Sequence, residues 1–182
     1  MLFRSAALDV GAAPEEIKET LYQCAPYIGL ERVRCALDVV NQVFREEEIP
    51  LPREKQGTVT EETRFDQGLA VQQQIFGAEN INRMRESAPP ELKHIQDYLS
   101  AYCFGDFYTR GTLDLKMREL ITFCAICCLG GCEPQAKSHA AANLSVGNTR
   151  AMLIDAVTQC LPFIGFPRTL NAITCINEVT GK

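Results

Sequence analysis

The sequence predicts an all-α fold on three observations. Apolar residues recur three and four apart along most of the chain, the spacing of one helical face. No segment alternates apolar with polar residues as a half-buried strand would. Gly and Pro fall at the ends of the periodic stretches, where helices stop. With 182 residues, 46% of them hydrophobic, the chain can bury one well-packed core.

Taken in order, the first helix opens at Pro14, whose fixed φ suits an initial turn. Glu15 and Glu16 lie at the positive end of its dipole, and Ile17, Leu21 and Cys24 follow on one face. "PYIG" breaks it, and a second helix runs to about residue 44. "EEEIPLPREKQGTVTEE" is polar, charged and Pro-bearing, the composition of a linker. Residues 61–76 place Phe65, Leu69, Gln72 and Phe76 on one side before Gly77, and residues 79–87 stop before Pro89 and Pro90. Residues 91–104 carry Leu92, Ile95, Leu99 and Cys103 at helical spacing.

Asp114 is a competent N-cap for a helix to Leu129 that is apolar nearly all round from Leu120, so this helix is predicted to be the most buried. Gly130 and Gly131 end it, and Pro134 opens the next. Thr149 caps a last segment whose Met152, Leu153, Ala156, Val157, Cys160 and Leu161 share a face, punctuated by "PFIG".

An internal comparison adds to this. "AALDVGAAPEEIKETLYQCAPYIG" aligns without a gap with "ANLSVGNTRAMLIDAVTQCLPFIG", and the register continues into the next helix. Gly11 pairs with Gly147, Cys24 with Cys160, Pro26 with Pro162, Gly29 with Gly165, Arg32 with Arg168 and Asn41 with Asn177. A long unit occurring twice reads as a duplicated domain rather than a solenoid. The predicted organisation is a partial repeat of two helices over 1–45, a linker over 46–60 and a complete domain over 61–182. His139 falls opposite Phe3, so only the second copy holds a whole site.

A formal net charge of −5 and a pI near 5.1 exclude nucleic acid and anionic membrane as main partners, because no basic block supplies a phosphate-neutralising field. The expected ligand is small, or another protein. No apolar run is long enough for a membrane helix and no signal-peptide core is visible, so a soluble, cytoplasmic protein is expected. Nine cysteines, an odd count, point to reduced thiols; Cys24, Cys35, Cys103, Cys160 and Cys175 read as small hydrophobes of the core.

Three residues form a candidate site. Glu119 lies one turn into the apolar helix, where a carboxylate must be paired, hydrogen-bonded or neutral, unless the helix start leaves it and Arg118 near water. Cys132 precedes a helix N-terminus, an environment that favours thiolate, although the adjacent Glu133 opposes it. His139 is two turns beyond Cys132 on nearly the same face. Cys124 and Cys127 have a zinc-knuckle spacing but sit inside an apolar helix with no second pair, so no metal site is expected.

The runs "FDQGLAVQQQIFG", "YLSAYCFGDFYTRGTLDLKMRELITFCAICCLGG" and "SHAAANLSVGNTRAMLIDAVTQCLPFIGFPRTLNAITCINEV" resemble the carboxymuconolactone decarboxylase family, related to the AhpD-like alkylhydroperoxidases. The resemblance covers residues 65–180, and residues 5–43 look like a second, partial copy. It implies an AhpD-like helical bundle that assembles as trimers or hexamers, with its site between the buried helix and the one after it. The peroxidase branch uses Cys-x-x-Cys-x-x-x-His; here Cys132 occupies the first thiol position but Gln135 the second, which removes the resolving thiol unless Cys127, Cys128 or another thiol folds close enough to substitute. The decarboxylase branch needs no cofactor. It implies loss of CO₂ from a small carboxylated lactone or related acid, with Glu119, Cys132 and His139 at the site and His139 exchanging the proton. Arg110 and Arg118 are candidates for the substrate carboxylate, and Phe107 for an apolar wall. A thiol peroxidase or disulfide reductase using Cys132, or a non-catalytic oligomer binding small molecules, are the alternatives.

Overall fold

The structure is a computed structural model that describes residues 5–181; Phe3, the repeat partner of His139, lies outside them. The described residues are helical with no strand, as the sequence predicts. In order they form α1 (Ala6–Asp9), α2 (Pro14–Ile28), α3 (Leu30–Glu46), α4 (Arg64–Phe76), α5 (Ala78–Glu86), a 3₁₀ turn (Pro90–Leu92) and α6 (Lys93–Tyr98). A π-helical segment (Leu99–Tyr108), α7 (Leu115–Leu129), α8 (Glu133–Ser145) and α9 (Arg150–Thr180) follow. None of these helices is long and apolar enough to cross a membrane.

The core gathers around α7, which packs against α2, α8 and α9. Phe123, Leu153, Val157 and Ile176 have no exposed surface, and each such side chain contributes roughly 1.5–3 kcal/mol of burial. A second cluster, Ile75, Cys103, Phe104, Tyr108 and Ala142, joins α4, the π segment and α8. The predicted caps form: the Asp114 carboxylate accepts from Met117 N at 2.8 Å, and Thr149 Oγ1 from Met152 N at 3.2 Å.

Four readings change in three dimensions. The helix expected over 91–104 runs on to Tyr108 and widens into a π helix. It lies backbone to backbone on α4: a Cβ on Gly68 would meet Ser100 O at 2.0 Å, and one on Gly105 would meet Arg64 O at 2.2 Å. Only two glycines permit that approach. Along α2 the buried stripe is polar, Glu19 and Gln23, because arginines face it, while Ile17, Leu21 and Cys24 are half-buried. Met152 stays 42% exposed, since Leu153 and Val157 are the residues of α9 that turn to the core. Among the cysteines read as core, Cys103 and Cys175 are buried, Cys24 and Cys160 half-buried, and Cys35 exposed.

The aligned segments turn at the same places. Gly29 between α2 and α3 has φ 89 and ψ 148, and its repeat partner Gly165, the kink within α9, has φ 75 and ψ 168. Gly11 and Gly147 are also both at positive φ. The stretch between α3 and α4 carries no helix but is tied down. Arg53 pairs with Glu15, Thr58 Oγ1 donates to Thr109 O at 2.9 Å, and Gly111 N donates to Gln56 O at 2.9 Å.

Candidate active site

Glu119 and His139 are held face to face by the packing of α7 on α8. Glu119 has no exposed surface and His139 is 9% exposed. His139 Nδ1 lies 2.8 Å from Glu119 Oε2. The other carboxylate oxygen, Oε1, accepts from Tyr108 Oη at 2.8 Å. The solvated position that the helix start could have given Glu119 is therefore not realised, because α2 and the π segment cover that end of α7.

Asn143, one turn after His139 on α8, fixes the pair in register. Its Nδ2 donates to Glu119 O at 2.9 Å and to His139 O at 2.7 Å, while its Oδ1 accepts from Asn148 Nδ2 at 2.7 Å. Buried amides satisfied on both ends in this way specify one arrangement of the two helices. On the flanks, the rings of Tyr27 and Phe76 stand edge-on to the imidazole, with centroids 5.6 and 5.5 Å away and planes at 88° and 87°. Edge-to-face contact is favourable for aromatic pairs and restricts ring rotation.

Behind Glu119 the hydroxyl groups form a donor array. Tyr108 Oη lies 2.9 Å from Thr122 Oγ1 and 3.1 Å from Tyr27 Oη, and Cys103 Sγ donates to Tyr27 Oη at 3.3 Å. Burial, reinforced by the Glu119 charge, pushes the Tyr108 phenol well above its usual range; burial followed by the neighbouring Tyr108 does the same for Tyr27. Burial also pushes the Cys103 thiol up to about 12. All three groups stay protonated near neutrality, so each is available as a donor.

His139 opens onto a cavity of about 470 Å³, a size that fits a small ligand. Its walls come from Phe76, Ile81, Met84, Leu99, Phe104 and Ile126, and its polar edge from Asn80, Cys132, Gln135, Ser138 and His139. Among the described residues, the lining contains no Lys or Arg.

The structure thus brings Glu119, Cys132 and His139 to one place and leaves the other three sequence candidates elsewhere. Arg110 closes on Glu19 through Nε and Nη2 at 2.8 and 2.7 Å. Arg118, with no exposed surface, donates to Gln23 Oε1 at 2.9 Å and to the carbonyls of Arg110 and Gly111 at 2.8 Å. Both guanidiniums answer the Glu19 charge brought in by α2 and do not line the cavity. Phe107 packs edge-on against Tyr102 at 5.2 Å and is not part of the cavity lining. Cys132, the half-buried residue before α8, directs its thiol to Gly130 O at 3.5 Å.

Sequence reasoning missed Tyr27, Phe76, Asn143 and the donor role of Tyr108. A signal existed for two of these. His139 and Asn143 are four apart on one helix face, and Tyr27 continues the polar stripe Glu19, Gln23 at one-turn intervals.

Residues 93–178 match the model of the carboxymuconolactone decarboxylase family. The chain is 26% identical over 121 residues to the 4-carboxymuconolactone decarboxylase of Acinetobacter baylyi, covering 66% of this chain and 90% of that protein. It is 24% identical over 123 residues to the nitrosuccinic acid decarboxylase of Metarhizium robertsii, covering 65% of this chain and 85% of that protein. The matched stretch contains the π segment, α7 and α8, and with them the Glu119–His139 pair and Tyr108. With these matches and the helical bundle, the chain is similar over residues 93–178 to the carboxymuconolactone decarboxylase family.

Proposed function

We propose that the protein is a cofactor-free decarboxylase of small acids in which His139 delivers a proton to carbon and Glu119 orients it. The observation that carries the reading is the Glu119–His139 hydrogen bond at the mouth of a cavity that, among the described residues, no Lys or Arg lines. With Nδ1–H directed to Glu119, the other ring nitrogen, Nε2, is the one left to exchange a proton with a bound molecule.

The chemistry follows from that geometry. The bond from carbon to carboxylate breaks, its electron pair stays on the carbon, and CO₂ leaves. An electron-withdrawing group conjugated with the carbon takes up the charge, and His139, entering with both ring nitrogens protonated, gives its Nε2 proton to the resulting carbanion and is left as the neutral Nδ1–H imidazole; solvent restores the proton. A carboxylate seated among Phe, Ile, Met and Leu side chains has no Lys or Arg to hold it, whereas charge spreading into a lactone or nitro group tolerates an apolar wall better. The substrates named for the two relatives, a carboxylated lactone and a nitro acid, both offer such a sink. The proposed substrate class is therefore a small carboxylic acid bearing a neighbouring electron sink, bound as a single molecule without metal or cofactor.

Cys132 shares the cavity and carries the rival thiol chemistry. Incubating the purified protein with 4-carboxymuconolactone and with nitrosuccinic acid in D₂O separates the two. CO₂ release with one deuterium incorporated at carbon in the product, unaffected by Cys132→Ser, supports decarboxylation. Peroxide turnover that disappears in Cys132→Ser, with no CO₂, overturns it.

We also read residues 1–45 as a partial second copy of the domain over 61–182, supported by the matched glycine turns at Gly11, Gly29, Gly147 and Gly165. The expected setting is a cytoplasmic homo-oligomer, trimer or hexamer. Size-exclusion chromatography with light scattering tests the assembly.

A further inference from the structure

α2 sends three side chains inward at one-turn intervals: Glu19, Gln23 and Tyr27. The first two anchor it. Glu19 receives Arg110 and Arg118, and Gln23 bridges Arg118 to Thr122 through Oε1 and Nε2, at 2.9 and 3.1 Å. The third reaches the site, where Tyr27 forms part of the cavity lining with its ring against the imidazole and its hydroxyl against Tyr108.

Donor counting fixes the direction of these bonds. Tyr108 gives its one proton to Glu119 Oε1, so Thr122, which accepts from Gln23, has to donate to Tyr108. By the same count Tyr27, which accepts from Cys103, donates to Tyr108 as well. Both oxygen lone pairs of Tyr108 are then occupied, and its single proton is committed to Glu119 Oε1. Cooperative polarisation along such a chain strengthens the last bond. Tyr27 thereby stands one hydroxyl away from the carboxylate that orients His139.

The repeat supplies a contrast. Asp155, Gln159 and Phe163 of α9 occupy the register of Glu19, Gln23 and Tyr27, yet all three are exposed. The same stripe is buried in α2 because it meets the arginines, Thr122 and the site, and there the aromatic residue carries a hydroxyl.

We propose that Tyr27 is a positioning residue for the Glu119–His139 pair, which makes α2, a helix outside the family-matched stretch 93–178, a working part of the site. Only its kinetic consequence rests on the decarboxylase reading; the effect on the histidine does not.

The test is nitrogen-15 NMR of the imidazoles in the full-length, ligand-free protein. The chain has two histidines, and His94 is exposed on α6, so the spectrum is simple to assign. The wild type should show a downfield, slowly exchanging Nδ1 proton for His139. Tyr27→Phe keeps the ring and its packing but should move that resonance upfield and speed its exchange with water. Cys103→Ala, which removes the donor to Tyr27, should shift it the same way by less, and Tyr98→Phe on the surface should leave it in place. Where an acid is turned over, Tyr27→Phe should lower kcat about tenfold with KM within about twofold. A folded Tyr27→Phe protein whose His139 resonance and exchange match the wild type would overturn the proposal, and would leave the decarboxylase reading standing if CO₂ is still released. Absence of CO₂ with a shifted resonance would sink that reading and keep this one.

Discussion

Tyr27 and His139 meet edge to face, ring centroids 5.6 Å apart and planes at 88°, although one comes from the second helix and the other from the eighth. Phe76 meets the same imidazole edge to face at 5.5 Å. A ring held by two aromatic neighbours and tethered at Nδ1 loses the freedom to turn away from the cavity, which is the preorganisation a proton donor needs.

Removing either member of the pair should stop turnover without collapsing the fold. His139→Gln and Glu119→Gln are expected to lower kcat by at least about a hundredfold, with helical circular dichroism retained. Glu119→Ala is harsher, because it leaves the Tyr108 hydroxyl and His139 Nδ1–H without their acceptor. It should cost about 3–5 kcal/mol, read from the urea midpoint.

The arginine lock should be a matter of stability and not of substrate affinity. Arg118→Met strands the buried Glu19 and Gln23 and is expected to destabilise by about 3–5 kcal/mol. At a temperature where the variant is folded, KM should stay close to the wild-type value. A large rise in KM with unchanged stability would return Arg118 to the substrate.

Gly105→Ala should disturb both fold and site. The added Cβ would stand 2.2 Å from Arg64 O, and separating α4 from the π segment is expected to cost at least about 2 kcal/mol. Because the same segment carries Tyr108, activity should fall together with the melting temperature. An unchanged melting temperature would contradict the close contact.

The buried thiols predict an alkaline weakness. Burial raises Cys103 and Cys127 to about 12 from an ordinary 9.0. The stabilisation they give is complete below pH 9 and is lost as pH climbs towards 12, since the unfolded chain releases these protons first. Within that window each thiol should lower unfolding free energy by about 1.4 kcal/mol per pH unit. Melting curves from pH 8 to 11 should therefore show a shallower decline in Cys103→Ala than in the wild type; parallel declines would contradict the assignment.

Much of this architecture could be read in the chain because local chemistry dictates it. Asp114, Thr149, Gly77 and Gly130 start and stop helices by interactions that hardly depend on the rest of the molecule. Glu119 and His139 could be paired because both lie in sequence around one helix–turn–helix. Arg110 and Arg118 could not be placed, because a guanidinium near a site serves a substrate or a buried acid equally well, and the acid proved to be Glu19 on a distant helix. Tyr27 escaped for the same reason, since its role exists only once α2 docks on α7. The π widening at Leu99–Tyr108, the segment in which Gly105 meets Gly68 of α4, leaves no mark in helical periodicity.

The central claim, proton delivery by His139 in a metal-free and cofactor-free decarboxylation, is tested most directly by CO₂ release in single-turnover assays of wild type, His139→Gln and Cys132→Ser on the two acids named above. The account predicts release by the wild type and by Cys132→Ser at similar rates, and a loss of at least about a hundredfold in His139→Gln. Release by His139→Gln at the wild-type rate, or its disappearance in Cys132→Ser alone, would contradict it.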